Sequence, residues 1–196
     1  MKKLLISGFE PFGGENINPS WEAVNLLPSE IKGYAITKIR IPVVFGKAAD
    51  MVMAKVDEMR PDVIICVGQA GGRDAITPEL VAINLRHAEI PDNEGNQPFD
   101  RPITEGGETA YLSTLPMRKI AAAIKESGLP SRLSYSAGAY VCNDLIYTIL
   151  QKYKNTNIRA GFIHIPYSIE QGKDPSMPLS DLVKGLTIAI ESIDNE

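Results

Sequence analysis

Short apolar runs rich in β-branched residues alternate along the chain with longer segments whose apolar residues recur at helical spacing. This alternation is typical of an α/β protein with a largely parallel sheet. It predicts six strands, at Lys3–Gly8, Tyr34–Val43, Asp62–Gly68, Leu80–Arg86, Arg132–Ser136 and Arg159–Ile165. It also predicts five helices, at Ser20–Leu27, Lys47–Arg60, Pro116–Ser127, Asn143–Lys154 and Leu179–Asp194.

One long segment, from Ile90 to Glu108, follows neither period. It holds three prolines, three glycines and several Asp, Asn and Gln residues, so we expect an ordered loop or an irregular hairpin there. Long loops in compact proteins are often functional. With 196 residues, the chain is long enough for one sizeable core and short for two. We therefore expect a single domain that spans residues 1–196.

Charge and hydropathy argue against several classes of partner. The formal net charge is -4, and Lys and Arg are scattered singly, so nucleic acid is not an expected partner. The N-terminus begins like a secretory signal, but Gly8 and Pro11 interrupt its apolar run early, which predicts a buried first strand instead. No apolar run approaches the ~20 residues of a membrane helix, so we expect a soluble protein with no membrane partner.

The two cysteines differ in their setting, and we expect both to be reduced. Cys142 follows a glycine-containing turn and stands where a helical pattern begins. At a helix start, unpaired backbone N–H groups and the helix dipole favour an anion, which lowers a thiol pKa and stabilises an oxyanion. The segment alone still favours a buried structural cysteine, since free Cys is among the most buried residue types. Cys66 lies mid-strand among apolar residues and is predicted to be inert core.

Two histidines are the candidates for a catalytic base. His164 lies in an apolar strand stopped by Pro166, near the carboxyl edge where open α/β sheets gather their sites, although a core histidine bonded to backbone is an equal alternative. His87 lies in a polar stretch and is the weaker candidate. Glu79 is a possible acceptor for a histidine nitrogen, but a carboxylate in such a turn is more often solvated. Two dispersed histidines and two distant cysteines argue against a zinc site.

The loop after the first strand displays two aromatic residues, Phe9 and Phe12, in the sequence GFEPFGGENINPS. Aromatic residues on a loop between a strand and a helix suggest recognition of a ring. A phosphate-binding loop is the competing idea, but the chain has neither GxGxxG nor GxxxxGK[ST] at this point.

Taken together, ten segments resemble the pyroglutamyl-peptidase (pyrrolidone-carboxylate peptidase) family of cysteine peptidases, over roughly residues 5 to 170. Their order and length make chance similarity a poor explanation. The segments are GFEPFGG, NPS, GQAGGR, ITPE, VAIN, IPDN, QP, AYLSTLP, AGAYVCND and GFIHIPY.

The resemblance implies an open α/β/α sandwich and an enzyme that cleaves the amide after an N-terminal pyroglutamate through a thioester, without metal or cofactor. It implies a cytoplasmic homotetramer whose partners are pyroglutamyl peptides. By motif, Cys142 is the nucleophile, His164 its base and Glu79 the residue that orients the base. The lactam is held by the rings of Phe9 and Phe12, and its polar edge is surrounded by Asn18, Gln69 and the backbone at Val141.

One departure leaves an alternative open. Glu89 of HAEIPDN stands where the family pattern has an arginine near the oxyanion site. Either the helix N–H groups suffice there, or Arg86 or Arg73 substitutes, or the chain is a catalytically weak or dead homologue that keeps the ring pocket. A glutamine amidotransferase also uses Cys, His and Glu, but its GxCxG turn is missing around Cys142.

Overall fold

The computed structural model describes residues 1–194. Within them, five α-helices, α1 to α5, span Pro19–Leu26, Lys47–Met59, Met117–Glu126, Val141–Tyr153 and Leu179–Glu191, and one 3₁₀ turn spans Ile169–Gln171. Ten strands, β1 to β10, span Lys2–Phe9, Glu30–Ile31, Tyr34–Ile41, Val63–Gln69, Thr77–Glu79, Val81–Ile83, Ala110–Leu112, Arg159–Ile165, Tyr167–Ser168 and Ser176–Met177.

Six strands form the central sheet, in the order β2-β3-β1-β4-β8-β5. The four inner strands are parallel, whereas β2 and β5 run antiparallel at the two edges. Two small sheets pair β9 with β10 and β6 with β7. The expectation of a largely parallel sheet is confirmed.

Helices cover both faces of this sheet, so alternate residues of each inner strand point into different cores. Leu4, Ile6 and Ile65 pack against α1, α3 and α5, whereas Leu5 and Ile64 pack against α2 and α4. Burial on both faces explains why these strands are continuous apolar runs without alternation. The molecule is thus the α/β/α sandwich that the resemblance implies.

Two predicted strands differ from the observed structure. Only β6 falls within the predicted Leu80–Arg86, and it pairs with β7 in a small sheet, whereas β5, which precedes it, joins the central sheet. Arg132–Ser136 forms no strand in the described structure and meets the β5 region only at isolated bridges. Pro78 explains the interruption, because a proline has no N–H to continue the parallel ladder that Ile76 and Leu80 make on either side of it.

The long segment that begins at Ile90 is an ordered loop, as predicted. The carboxylate of Asp92 organises it by accepting backbone N–H bonds from Phe45, Glu94 and Asn96. Helix α4 begins two residues before its predicted start, which places Cys142 inside its first turn. Among the described helices, none is both long and apolar enough to cross a membrane.

Candidate active site

The carboxyl ends of the inner strands meet the start of α4 at one edge of the sheet. Phe9 ends β1, Gln69 ends β4, and His164 is the penultimate residue of β8. Cys142 is the second residue of α4. Parallel strands collect side chains of distant sequence at this edge, which is where open α/β sheets bind ligands.

Glu79 and His164 form a buried pair between adjacent strands. The Nδ1 atom of His164 lies 2.7 Å from the Oε1 atom of Glu79, and the two side chains are 5% and 1% exposed. Because a carboxylate only accepts hydrogen bonds, Nδ1 carries the proton, and Nε2 of the neutral ring is left with a lone pair. This is the tautomer that a base needs.

Cys142 reaches the sheet beside His164 because residue 68 is glycine. Gly68 pairs with His164 in the register of β4 and β8. A Cβ atom on Gly68 would lie 3.0 Å from the sulfur of Cys142 and 2.7 Å from the Phe162 ring. The missing side chain therefore lets the thiol approach the strand ends where the histidine lies.

The thiol and the imidazole are both neutral at physiological pH. Burial raises the pKa of the Cys142 thiol to about 12, and the charge of Glu79 raises it further than burial alone. Burial lowers the pKa of His164, although its bond to Glu79 acts in the opposite direction. Desolvation thus opposes the thiolate expected from the helix start, where the backbone N–H groups would favour it.

A small cavity opens beside Cys142, and most of its lining is apolar. Phe9, at the end of β1, and Phe12, in the loop that follows, line it. Val43 and Tyr140 also line it, and sequence reasoning missed both. The complete lining is Phe9, Phe12, Asn18, Val43, Gln69, Tyr140 and Cys142.

Tyr140 is held as a wall of this cavity by three contacts. Its hydroxyl donates to the carbonyl of Pro91 at 3.1 Å. Its ring lies edge-on to Phe45 at 5.4 Å and tilted to Phe12 at 6.3 Å between centroids. The aromatic residue two positions before Cys142 was the available sequence signal.

Asn18 lies at the cavity but is also the N-cap of α1. Its Oδ1 accepts from the backbone N–H of Ser20 at 3.0 Å and from its hydroxyl at 2.8 Å. Its Nδ2 donates to the carbonyl of Glu10 at 2.9 Å. One Nδ2 hydrogen remains for a ligand.

The amide of Gln69 is oriented by Gln171. The backbone N–H of Ser168 donates to Oε1 of Gln171 at 3.1 Å, so the other amide atom of Gln171 is the donor Nε2. That Nε2 donates to Oε1 of Gln69 at 2.9 Å. The chain of bonds leaves Nε2 of Gln69 as the amide end available for a ligand.

Val141 lines no part of the cavity with its side chain, which is fully buried in the core beside α4. Its backbone belongs to the first turn of the helix, where N–H groups have no intrahelical acceptor. Its predicted contribution through the backbone is therefore compatible with its position.

The two arginines considered for the oxyanion site lie elsewhere. Arg86 donates through Nε to the buried carboxylate of Asp144 at 2.6 Å. Arg73 pairs with the carboxylate of Glu79, with Nη1 2.6 Å from Oε1. Glu89 is exposed and lines a separate cavity of about 430 Å³ that shares the wall formed by Tyr140.

The other histidine and the other cysteine, His87 and Cys66, have surroundings that indicate a structural role. His87 bonds to Asp100 through Nδ1 at 2.8 Å, and its ring contacts Phe99. Cys66 is completely buried in β4, where burial raises its thiol pKa to about 12. Both cysteines are free thiols.

Comparison with known proteins gives matches along the whole chain. A family model described as pyroglutamyl peptidase matches residues 2–196. The chain is 51% identical to Pyrrolidone-carboxylate peptidase 1 of Streptococcus pneumoniae, over 97% of this chain and 92% of the relative. It is 50% identical to the Pyrrolidone-carboxylate peptidase of Lactobacillus johnsonii, over 97% and 92% of the two chains.

Solved structures agree with these matches. Pyroglutamyl peptidase I of Bacillus amyloliquefaciens superposes with a TM-score of 0.93 at 47% identity, covering 98% of this chain and 97% of the other. The pyrrolidone carboxyl peptidase of Thermococcus litoralis superposes with a TM-score of 0.94 at 36% identity, covering 98% and 93%. On its sequence and its fold, the chain belongs to the pyroglutamyl peptidase family.

Proposed function

We propose that this protein is a pyroglutamyl peptidase I, a cysteine-type omega peptidase that hydrolyses the amide bond after an N-terminal pyroglutamyl residue. One observation carries the proposal: Cys142 opens on a ring-lined cavity at the sheet edge that also holds the buried Glu79–His164 pair. The cavity supplies recognition and the pair supplies a base.

Acylation begins from the neutral thiol. Nε2 of His164 takes the proton of Cys142 as the sulfur attacks the pyroglutamyl carbonyl. The developing oxyanion is stabilised by N–H groups of the first turn of α4, which have no intrahelical acceptor. Removing the proton during attack avoids forming a buried thiolate beforehand, which the raised pKa of the thiol disfavours.

His164 acts as an acid to complete acylation and then as a base in deacylation. The imidazolium of His164 protonates the leaving amine, and the pyroglutamyl group stays on the sulfur of Cys142 as a thioester. The neutral ring then takes a proton from water as the water attacks the thioester carbonyl. The C–S bond breaks, the imidazolium returns its proton to the sulfur of Cys142, and free pyroglutamate leaves. Throughout, Glu79 fixes the tautomer of the ring and stabilises its charged form.

The cavity suits a flat, uncharged lactam. The rings of Phe9, Phe12 and Tyr140 provide apolar faces, and no Asp or Glu appears among its lining residues to bind a free N-terminal amine. The available N–H groups of Asn18 and Gln69 are donors suited to the lactam carbonyl. Substrates are therefore peptides with N-terminal pyroglutamate.

The family matches do not favour a dead homologue or a glutamine amidotransferase. Glu89 lines a cavity other than the one beside Cys142, which supports an active enzyme. On the resemblance alone, we further propose that residues 1–196 act as one domain of a cytoplasmic homotetramer without nucleic-acid or membrane partners. Light scattering tests the assembly, with four times the chain mass of 21.4 kDa as the expected result.

Turnover of two fluorogenic amides tests the function. Pyroglutamyl-aminomethylcoumarin presents the lactam carbonyl, whereas prolyl-aminomethylcoumarin has the same ring size without it. Because the proline compound leaves the buried donors unpaired, its kcat/KM is expected to be lower by up to ~10⁴-fold. Equal turnover of both amides would contradict the pocket, and no turnover of either by folded protein would contradict the enzyme.

A further inference from the structure

A partly buried arginine pairs with the carboxylate of Glu79. Arg73 lies in the loop between β4 and β5, and its Nη1 is 2.6 Å from Oε1 of Glu79. The same guanidinium donates to the hydroxyl of Thr77 at 2.5 Å and to the carbonyl of Ser136 at 3.1 Å. Its side chain is 25% exposed, whereas that of Glu79 is 1% exposed. The steps proposed above do not use it.

Arg73 and His164 bind the same carboxylate oxygen. Oε1 of Glu79 accepts from Nδ1 of His164 at 2.7 Å and from Nη1 of Arg73 at 2.6 Å. The guanidinium is always protonated, so it places a fixed positive charge on the carboxylate that faces the imidazole. The carboxylate thus has one charged partner and one titrating partner.

We propose that Arg73 is a positioning residue for this triad: it fixes Glu79 against His164 and offsets the charge of Glu79, so that His164 stays a neutral base at physiological pH. The inference rests on the proposed function and extends it. It also means that Arg73 acts on the carboxylate of Glu79 and does not stabilise the oxyanion.

Three groups govern the charge state of His164. Burial lowers the pKa of His164 most, Glu79 on β5 raises it, and Arg73 on the β4–β5 loop lowers it. The third group, Cys142 on α4, faces the site as a neutral thiol. Arg73 also lowers the pKa of Cys142, which helps the thiol lose its proton during attack. Without Arg73, the uncompensated carboxylate favours the imidazolium, so the pKa of His164 rises.

Loss of Arg73 is expected to lower activity most at low pH. A protonated His164 cannot accept the thiol proton, so kcat/KM falls as the pH drops through the pKa of His164 in the free enzyme. Raising that pKa moves the acid limb of the pH profile to higher pH. A contact that served only folding would lower activity equally at all pH values.

The pH profile of pyroglutamyl-aminomethylcoumarin hydrolysis separates these roles. In Arg73→Met, the acid limb is expected to move to higher pH, and the loss of kcat/KM at pH 6 is expected to be roughly tenfold larger than at pH 8. Arg73→Lys keeps the charge without the planar fork, so its acid limb should stay near the native one while kcat/KM falls at every pH. Arg132→Met is the matched control, because Arg132 pairs with the exposed Asp74.

Direct titration of the imidazole keeps this test separate from the proposed function. The chain has two histidines, so NMR of histidine-labelled protein gives two sets of imidazole signals, and His87→Gln assigns them. The His164 signal should titrate at higher pH in Arg73→Met than in the native protein, whether or not the protein turns over the amide. If Arg73→Met does not fold, Arg73→Gln keeps a donor without the charge and should show the same shift. An unchanged His164 titration in a folded, uncharged variant would overturn the proposal.

Discussion

His164 Nδ1 and Glu79 Oε1 are 2.7 Å apart in a pair that is almost completely shielded from water. The pair joins β8 to the antiparallel edge strand β5, so the tautomer of the base is fixed by the sheet itself. Burial would raise the pKa of Glu79, but the bonds from His164 and Ser134 and the charge of Arg73 hold that pKa below its usual value. The proposed catalysis depends on this geometry.

Replacing Glu79 by Gln tests that dependence. The amide keeps the shape of the side chain but loses the charge that stabilises the imidazolium. We expect kcat to fall by roughly 10³- to 10⁴-fold with little change in KM, measured with pyroglutamyl-aminomethylcoumarin. Circular dichroism checks that the variant is folded, and a folded variant within tenfold of native kcat would contradict the orienting role.

The reactivity of Cys142 towards iodoacetamide tests its protonation state. Since burial raises its thiol pKa to about 12, alkylation should be slow at neutral pH and should keep rising with pH through pH 9. The alkylated residue is identified by peptide mass spectrometry. Fast alkylation that reaches a plateau near neutral pH would mean that the resting protein holds a thiolate, against the neutral pair described above.

Much of the sheet could be predicted from sequence because its inner strands are buried on both faces. β1, β4 and β8 are continuous apolar runs, and their predicted bounds agree with the observed strands to within one residue at each end. The segment Arg132–Ser136 was wrongly predicted to be a strand. To form one, it would need a hydrogen bond from the backbone N–H of residue 78, and Pro78, which is distant in sequence, has no N–H group. Strands of two or three residues are too short to show any period.

The candidate site, like the sheet, was predicted from the sequence only in part. Residue types and motifs led to Cys142, His164 and Glu79, and the structure brings all three to one sheet edge. The pKa of Cys142 could not be predicted from its helix start, because burial is a property of the packed protein. The contact between Arg73 and Glu79 was missed for a related reason: a loop folds back on a strand there, and nothing in the spacing of the two residues indicates it.

Gln171 is predicted to tune selectivity through Gln69. In Gln171→Ala, the amide of Gln69 loses the bond that holds its Oε1 and is free to rotate. The ratio of kcat/KM for pyroglutamyl over prolyl amide should fall by about tenfold. Gln151→Ala is the control, because Gln151 lies nine residues along α4 from Cys142, or about 13 Å. An unchanged ratio in Gln171→Ala would contradict the prediction that Gln171 orients the amide of Gln69.

Glu89 is predicted to matter little for the small fluorogenic substrate. Its side chain is exposed and lies outside the cavity beside Cys142. Solvent screens such a charge, so Glu89→Gln should change kcat/KM by less than about threefold, like the surface control Glu126→Gln. A gain of more than tenfold in Glu89→Gln would show that this carboxylate opposes the oxyanion after all.

The two cysteines together provide the most direct test of the central claim, that Cys142 is the nucleophile of a pyroglutamyl peptidase. Both are free thiols, but only Cys142 lines the cavity, while Cys66 is sealed inside β4. The measurement compares pyroglutamyl-aminomethylcoumarin turnover by the native protein, Cys142→Ala and Cys66→Ala, each shown to be folded. We predict turnover by the native protein and by Cys66→Ala, with Cys142→Ala reduced by about 10⁵-fold or more. Turnover that survives in Cys142→Ala would contradict the account.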